Sequence, residues 1–240
     1  MDNVSYKGMD SVSIHQPNYL PWLGFFHKMN QVDKFILLDD VQFSKNSVQN
    51  RNIIRSRDGK IMLAVPVLTT GKFGQVTNEV LIDKRSRWQD KHLKTIQMNY
   101  SKAPYYNVYK DELEYVYQQQ YEKLTDVCVN LISVLVKWLG ISTEIVMASI
   151  LNVNEDSTEK LISLTKKVGC NLYLSGPSGR KYMEQTRFKQ EEIILKFHSF
   201  VHPIYTQFSS KDFIANLSAL DLIFNYGEDS KKVLFGEHHN

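Results

Sequence analysis

The chain has 240 residues, enough to bury a full core, and its make-up, 42% hydrophobic and 23% charged with 13 Tyr, 12 Phe and 3 Trp, is that of a globular protein rather than a disordered one. A formal charge of +3 is too small to imply a nucleic-acid face, although Lys and Arg gathered in one cleft can still attract a phosphate-bearing small molecule. The apolar run near residues 127–150 is interrupted by Lys137 and Glu144, and no basic-plus-apolar leader opens the chain, so neither a membrane span nor a signal peptide is expected and the cytoplasm is the default location. Cys128 and Cys170 lack metal-site or CxxC spacing and sit among apolar neighbours, which reads as two reduced, structural thiols.

The first element expected is a strand over residues 11–15, where Val12 and Ile14 alternate with polar residues before Pro17 ends the run. A helix follows over residues 21–30, with Leu23, Phe26 and Met29 on one face, and the continuous apolar run KFILL, residues 34–38, reads as a buried parallel strand. Strand, helix and strand make a βαβ unit. Residues 39–57 read as a candidate active-site loop, residues 61–68 as a third strand and residues 75–82 as a further β-like piece. Three helices are expected over residues 86–99, 105–119 and 121–139, the last carrying a long apolar stripe from Leu124 to Trp138 and stopped by Gly140. A strand over residues 144–148 leads to a helix that Asp156 caps and Gly169 closes. Residues 171–174 form the next parallel strand, a short helix holds Tyr182 and Met183, residues 193–197 form one more strand, and a closing helix spans residues 219–225. The whole is expected to be a single α/β domain with a mostly parallel, Rossmann-like sheet and a mainly helical segment at about residues 86–140.

In an open α/β sheet, ligands lie beyond the carboxyl ends of the strands, and three polar clusters fall at such ends. The turn after the first strand holds His15, Gln16, Asn18, Tyr19 and Trp22. His15 is a candidate general acid/base, because an imidazole of ordinary pKa, about 6.5, is partly neutral near pH 7; the plainer reading is a ring bonded to a loop carbonyl. His27 is read as a surface or helix-packing residue. After the second strand come Asp39 and Asp40, suited either to a cation or a sugar hydroxyl or to capping a turn, then Gln42, Lys45, Asn50, Arg51 and Asn52, with Arg51 the natural fork for a carboxylate or phosphate. After the later strand, Ser175, Gly176, Pro177, Ser178, Gly179, Arg180 and Lys181 offer small residues, hydroxyls and two cations ahead of a helix, which is either a phosphate cradle or a tight turn. No Walker pattern or GxGxxG is present, metal spacing is absent, and His238 and His239 read as a loose tail.

The segments IHQPNYLPWLGFFHKM, DKFILLDDVQFSKNSVQNRNII, KHLKTIQMNYSKAPYY and LYLSGPSGRKYM, in this order and spanning most of the chain, resemble the WbqC-like family of bacterial proteins. That resemblance implies a setting in the biosynthesis of O-antigen and other surface polysaccharides, or of small molecules. More weakly, the arrangement is similar to the nucleotidylyltransferase-like α/β superfamily that includes pantothenate synthetase, where the turn after the first strand meets ATP. The HxGH signature is missing here, with Leu23, Gly24, Phe25 and His27 in the comparable region, so ATP stays open as a cofactor.

Residues and resemblance together lead to an enzyme acting on a nucleotide-linked or otherwise phosphate-bearing amino sugar, transferring an acyl or aminoacyl group to its amine. In that reading His15 takes the amine proton, the Ser175 to Lys181 loop holds the phosphate, and the donor is a thioester, on a carrier protein or free, or an acyl-adenylate made with ATP. The rival is a non-catalytic protein of the same pathway that holds an intermediate or a partner enzyme.

Overall fold

The computed structural model describes residues 4–57, 59–208 and 212–236. In chain order they form β1 (Ser11–His15), α1 (Leu23–Asn30), β2 (Lys34–Leu37), β3 (Arg51–Ser56) and β4 (Gly59–Ala64). Then come α2 (Trp88–Tyr100), α3 (Tyr106–Gln118), α4 (Leu124–Leu139) and β5 (Glu144–Met147). The remainder is α5 (Ser157–Lys167), β6 (Leu172–Ser175), α6 (Gln185–Gln190), β7 (Ile194–Phe197), α7 (Leu220–Tyr226) and α8 (Ser230–Phe235). His238 and His239 lie outside the described residues. The chain divides into two compact units. The first falls within Met1–Gln16, Gly24–Asp40 and Ile141–Val201, and the second within Pro17–Leu23, Val41–Gly140 and His202–Asn240.

The first unit is built on a five-stranded sheet in the order β5-β2-β1-β6-β7, every pairing parallel. Numbered within the sheet alone, this is 3-2-1-4-5, so β1 connects onward to β2 on one side while β6 connects to β7 on the other. Val12, Ile14 and Ile36 point to the face covered by α5 and α6, where Leu161, Leu164, Tyr173 and Phe188 complete the core and the Tyr173 and Phe188 rings stack at 5.5 Å. The opposite face carries Ser13, His15 and Phe35, met by Phe25 of α1 at 5.1 Å from the His15 ring and 5.2 Å from Phe35. The serines of β1 are buried along with the hydrophobes, which a half-exposed strand would not require. Ser13 Oγ donates to Leu174 O at 2.7 Å and Ser11 Oγ to Tyr6 O at 2.6 Å, so neither hydroxyl is left unpaired.

The second unit is mainly helical, with one two-stranded antiparallel sheet, β3-β4. Its presence corrects two expectations from sequence. Residues 51–56 are a strand rather than active-site loop, and residues 61–68 supply not a third parallel strand but the second arm of this hairpin, which ends at Ala64, two residues before Pro66. Residues 75–82 hold a single 3-10 turn, Thr77–Glu79, flanked by isolated bridges rather than a strand. α4 bears the expected stripe, and Gly140 closes it in the left-handed conformation, φ 59°, its N–H bonding Lys137 O and Val136 O.

Candidate functional site

Parallel strands whose onward connections leave in opposite directions open a crevice at their carboxyl ends, and β1 and β6 are such neighbours. β1 ends at His15 and β6 at Ser175, whose carbonyl accepts the His198 N–H at 2.8 Å, so the segment leaving β7 is tied to the same strand ends. Around this point the first unit gathers three histidines and a lysine.

His15 keeps part of its surface open. Its Nδ1 lies 2.9 Å from Gln16 O, and since a carbonyl only accepts, Nδ1 carries the proton and Nε2 presents a lone pair. Burial pushes the imidazole down to about 3, helped by the charge of Lys28 and opposed by the Gln16 hydrogen bond. The ring is therefore neutral at pH 7, not partly charged as an ordinary histidine would be. His27, on α1, is buried and bonds through Nδ1 to His198 Nε2 at 2.8 Å. Burial holds His27 down to about 4 and His198 to about 3, the latter lowered further by the nearby His27 and Lys28. Both rings are neutral, so the bond joins the N–H of one imidazole to the lone pair of the other. Phe200 packs on His27 at 4.9 Å. Lys28 is buried as well, donates from Nζ to Ile14 O at 3.1 Å, and is pushed down by burial to about 7. Sequence reasoning picked out His15 but left His27 as a packing or surface residue and did not consider His198 or Lys28.

The loop after β6 forms a five-residue 3-10 turn, Pro177–Lys181, instead of leading into a helix with Tyr182 and Met183; the next helix, α6, starts at Gln185. Gly179 is closely packed, since a Cβ there would displace Ser175 Oγ and Met183 Cε. Ser175 Oγ itself donates to Gly176 O at 3.1 Å. Ser178, Arg180 and Lys181 are exposed, and the Arg180 guanidinium lies over the Phe197 ring at 4.0 Å. After β2, Asp39 is buried and takes the N–H and hydroxyl of Ser149 at 2.9 and 2.7 Å, while Asp40 pairs with the largely buried Lys160 at 2.9 Å. Both acids thus anchor the segments that follow β5.

The remaining sequence-derived candidates belong to the second unit. Asn18 is buried and neither its Nδ2 nor its Oδ1 has a hydrogen-bond partner among the described residues. Tyr19 is buried, its hydroxyl shared by His92 Nδ1 and Tyr117 OH. Trp22 bridges Ser218 through its backbone, Gln42 does so with Val76, and Lys45 is exposed. Asn50 Nδ2 donates to Val65 O, and Asn52 Nδ2, on β3, donates to Leu20 O, so both side chains are engaged in holding the fold. Arg51, half-buried, has no ion pair among the described residues. Among the described residues no group of three or more His, Cys, Asp or Glu could hold a metal ion, and no helix is long and apolar enough to cross a membrane. Both cysteines are buried and unpaired, with burial pushing the Cys170 thiol up to about 11.

The family described as WbqC-like matches residues 16–233 of the chain. A Mycobacterium tuberculosis (strain ATCC 25618 / H37Rv) protein, "Uncharacterized protein Rv1507c", is 32% identical over 229 residues, which cover 94% of this chain and 98% of that protein. No solved structure matches.

Proposed function

The chain belongs to the WbqC-like protein family, and from that premise and the switch point of its sheet we propose a cytoplasmic biosynthetic transferase that joins an acyl or aminoacyl group to the amine of a phosphate-bearing sugar. The observation that carries this reading is His15 at the end of β1, with its Nε2 lone pair held available by the Nδ1 hydrogen bond and with Ser175 ending the adjacent strand. The order 3-2-1-4-5 also fits a nucleotidylyltransferase-like sheet.

In the proposed reaction the sugar amine attacks the carbonyl of a thioester. The N–C bond forms as the C–S bond breaks, and the amine proton passes by way of His15 Nε2 to the departing thiolate. An imidazole this weakly basic becomes a better proton acceptor once an anion lies beside it, because the anion offsets both the lost hydration and the Lys28 charge. Ser178, Arg180 and Lys181 on the loop after β6 supply that anion's contacts.

A second reading, a non-catalytic protein that holds an intermediate of the pathway, is favoured by one observation: Asp39 and Asp40 are engaged in the fold by Ser149 and Lys160 and so supply no general base. Purified protein incubated with UDP-linked amino sugars and short-chain acyl-coenzyme A thioesters, then analysed by mass spectrometry, separates the two. The transferase adds an acyl mass to the sugar, and His15→Gln lowers that rate about 10²–10⁴-fold with an unchanged far-UV spectrum. Sugar binding without turnover on thioesters or on acyl donors with ATP supports the second reading. Full turnover by His15→Gln removes His15 from the chemistry.

A further inference from the structure

The second unit contains a cavity of about 410 Å³ lined by β3 and its turn, the end of α2 and Phe208. Its described lining holds three cations, Arg55, Arg57 and Lys102, together with Asn99 and two serines, and no carboxylate. We propose that this cavity is an anion site that takes a phosphorylated organic molecule, distinct from the loop after β6.

The three cations differ from the eight that the described residues hold in ion pairs. Lys84, Arg85, Arg87, Lys137, Lys160, Lys166, Arg187 and Lys232 each have a carboxylate within ion-pair distance, whereas Arg55, Arg57 and Lys102 have none among the described residues. Arg55 is moreover buried and fixed. Its Nη1 donates to Gln207 Oε1 at 2.6 Å, its Nη2 to Asp212 O at 3.2 Å, and its backbone N–H to Tyr100 OH at 3.0 Å. Gln207 is held in turn by Asp221, which accepts its Nε2 at 2.8 Å and also takes the hydroxyls of Tyr100 and Tyr205, both at 2.9 Å. Asp221 is wholly buried and accepts from these three donors behind Arg55, close enough to feel the Arg55 charge. A guanidinium held rigid by a second layer presents its charge without losing side-chain freedom on binding. Arg57 and Lys102 stand exposed at the rim, where they can close on a ligand.

The chemistry selects the ligand. Three positive charges with no carboxylate among the described lining residues suit a dianion or trianion, a phosphomonoester or diphosphate, better than a single carboxylate. Met98 and Phe208 give the same cavity an apolar and aromatic wall for the organic part. Phe208 is itself set by its N–H bonding Asn225 Oδ1 at 2.7 Å.

Calorimetry with pyrophosphate, ADP and adenosine tests the assignment on wild type and on two double variants, Arg57→Gln with Lys102→Gln and Arg180→Gln with Lys181→Gln. The rim cations are exposed, so their replacement leaves the core intact. The first pair weakens pyrophosphate and ADP at least about tenfold, and the wild-type affinity falls as salt is raised. The second pair leaves this binding event in place, so loss of the phosphate loop and loss of the cavity site read out separately. Phe208→Ala weakens ADP while sparing pyrophosphate, and adenosine alone binds far more weakly than ADP. A wild type that binds neither pyrophosphate nor ADP, or a rim variant that binds both as tightly as wild type, overturns the proposal.

Discussion

Lys28 shows how a single residue can be held against its own preference. The side chain lies inside the first unit with one acceptor, Ile14 O, and 5.5 Å from the Phe35 ring, and burial lowers its pKa to about 7. In the unfolded chain the same ammonium holds its proton until about pH 10.4. Between those values the unfolded state binds a proton that the folded state gives up, so this residue's contribution to stability rises with pH across the window and its cost is greatest at pH 7 and below. Lys28→Met should remove that cost while losing one hydrogen bond worth about 1 kcal/mol. The variant is expected to be the more stable protein in urea at pH 7, with the two curves converging toward pH 10. A difference that does not change with pH would mean that the amine keeps its charge in the fold.

At the scale of elements, α4 was legible because seven side chains from Leu124 to Trp138 repeat at helical spacing and a glycine follows. The left-handed φ of 59° at Gly140 explains that glycine: with any Cβ the residue is strained, and here the Cβ would also displace the end of Lys231. Gly140→Ala should cost about 1–2 kcal/mol, mostly from the backbone, since the lysine tip can swing aside. A lowered urea midpoint at constant slope checks it. The parallel strands were legible too, as apolar runs ending in polar turns, and those endings located His15 and Ser175. The hairpin was not, because RNIIRS and GKIMLA carry adjacent hydrophobes rather than a clean alternation, and their pairing stands apart from the main sheet. His27 and His198 were hidden for a different reason: they are 171 residues apart, and only the sheet order brings their rings together. Likewise, nothing local in the sequence says that Arg55 has no ion pair among the described residues while Lys160 has one.

Across the whole molecule, every described histidine is held below its ordinary pKa, chiefly by burial: His15 and His198 at about 3, His27 and His92 at about 4, and His202 lowered. The unfolded chain charges these rings near pH 6.5, so as pH falls from there toward 4 it takes up protons that the folded protein refuses. Stability contributed by their neutrality is complete above pH 6.5 and is lost on the way down, each ring adding up to about 1.4 kcal/mol per pH unit to the slope. Asp221, raised by burial, works in the opposite direction, since the folded state protonates it first, but it is one group against five. Urea midpoints should therefore fall steeply between pH 6.5 and 4.5, with net proton uptake on unfolding. This bears on the proposed chemistry, because a base whose pKa lies near 3 gives no kinetic titration at mild acidity. Activity and tryptophan fluorescence should then be lost together on the acid side. An activity that drops near pH 6 in a fully folded protein would show that the group transferring the proton is in contact with solvent and is not His15 as the free protein holds it.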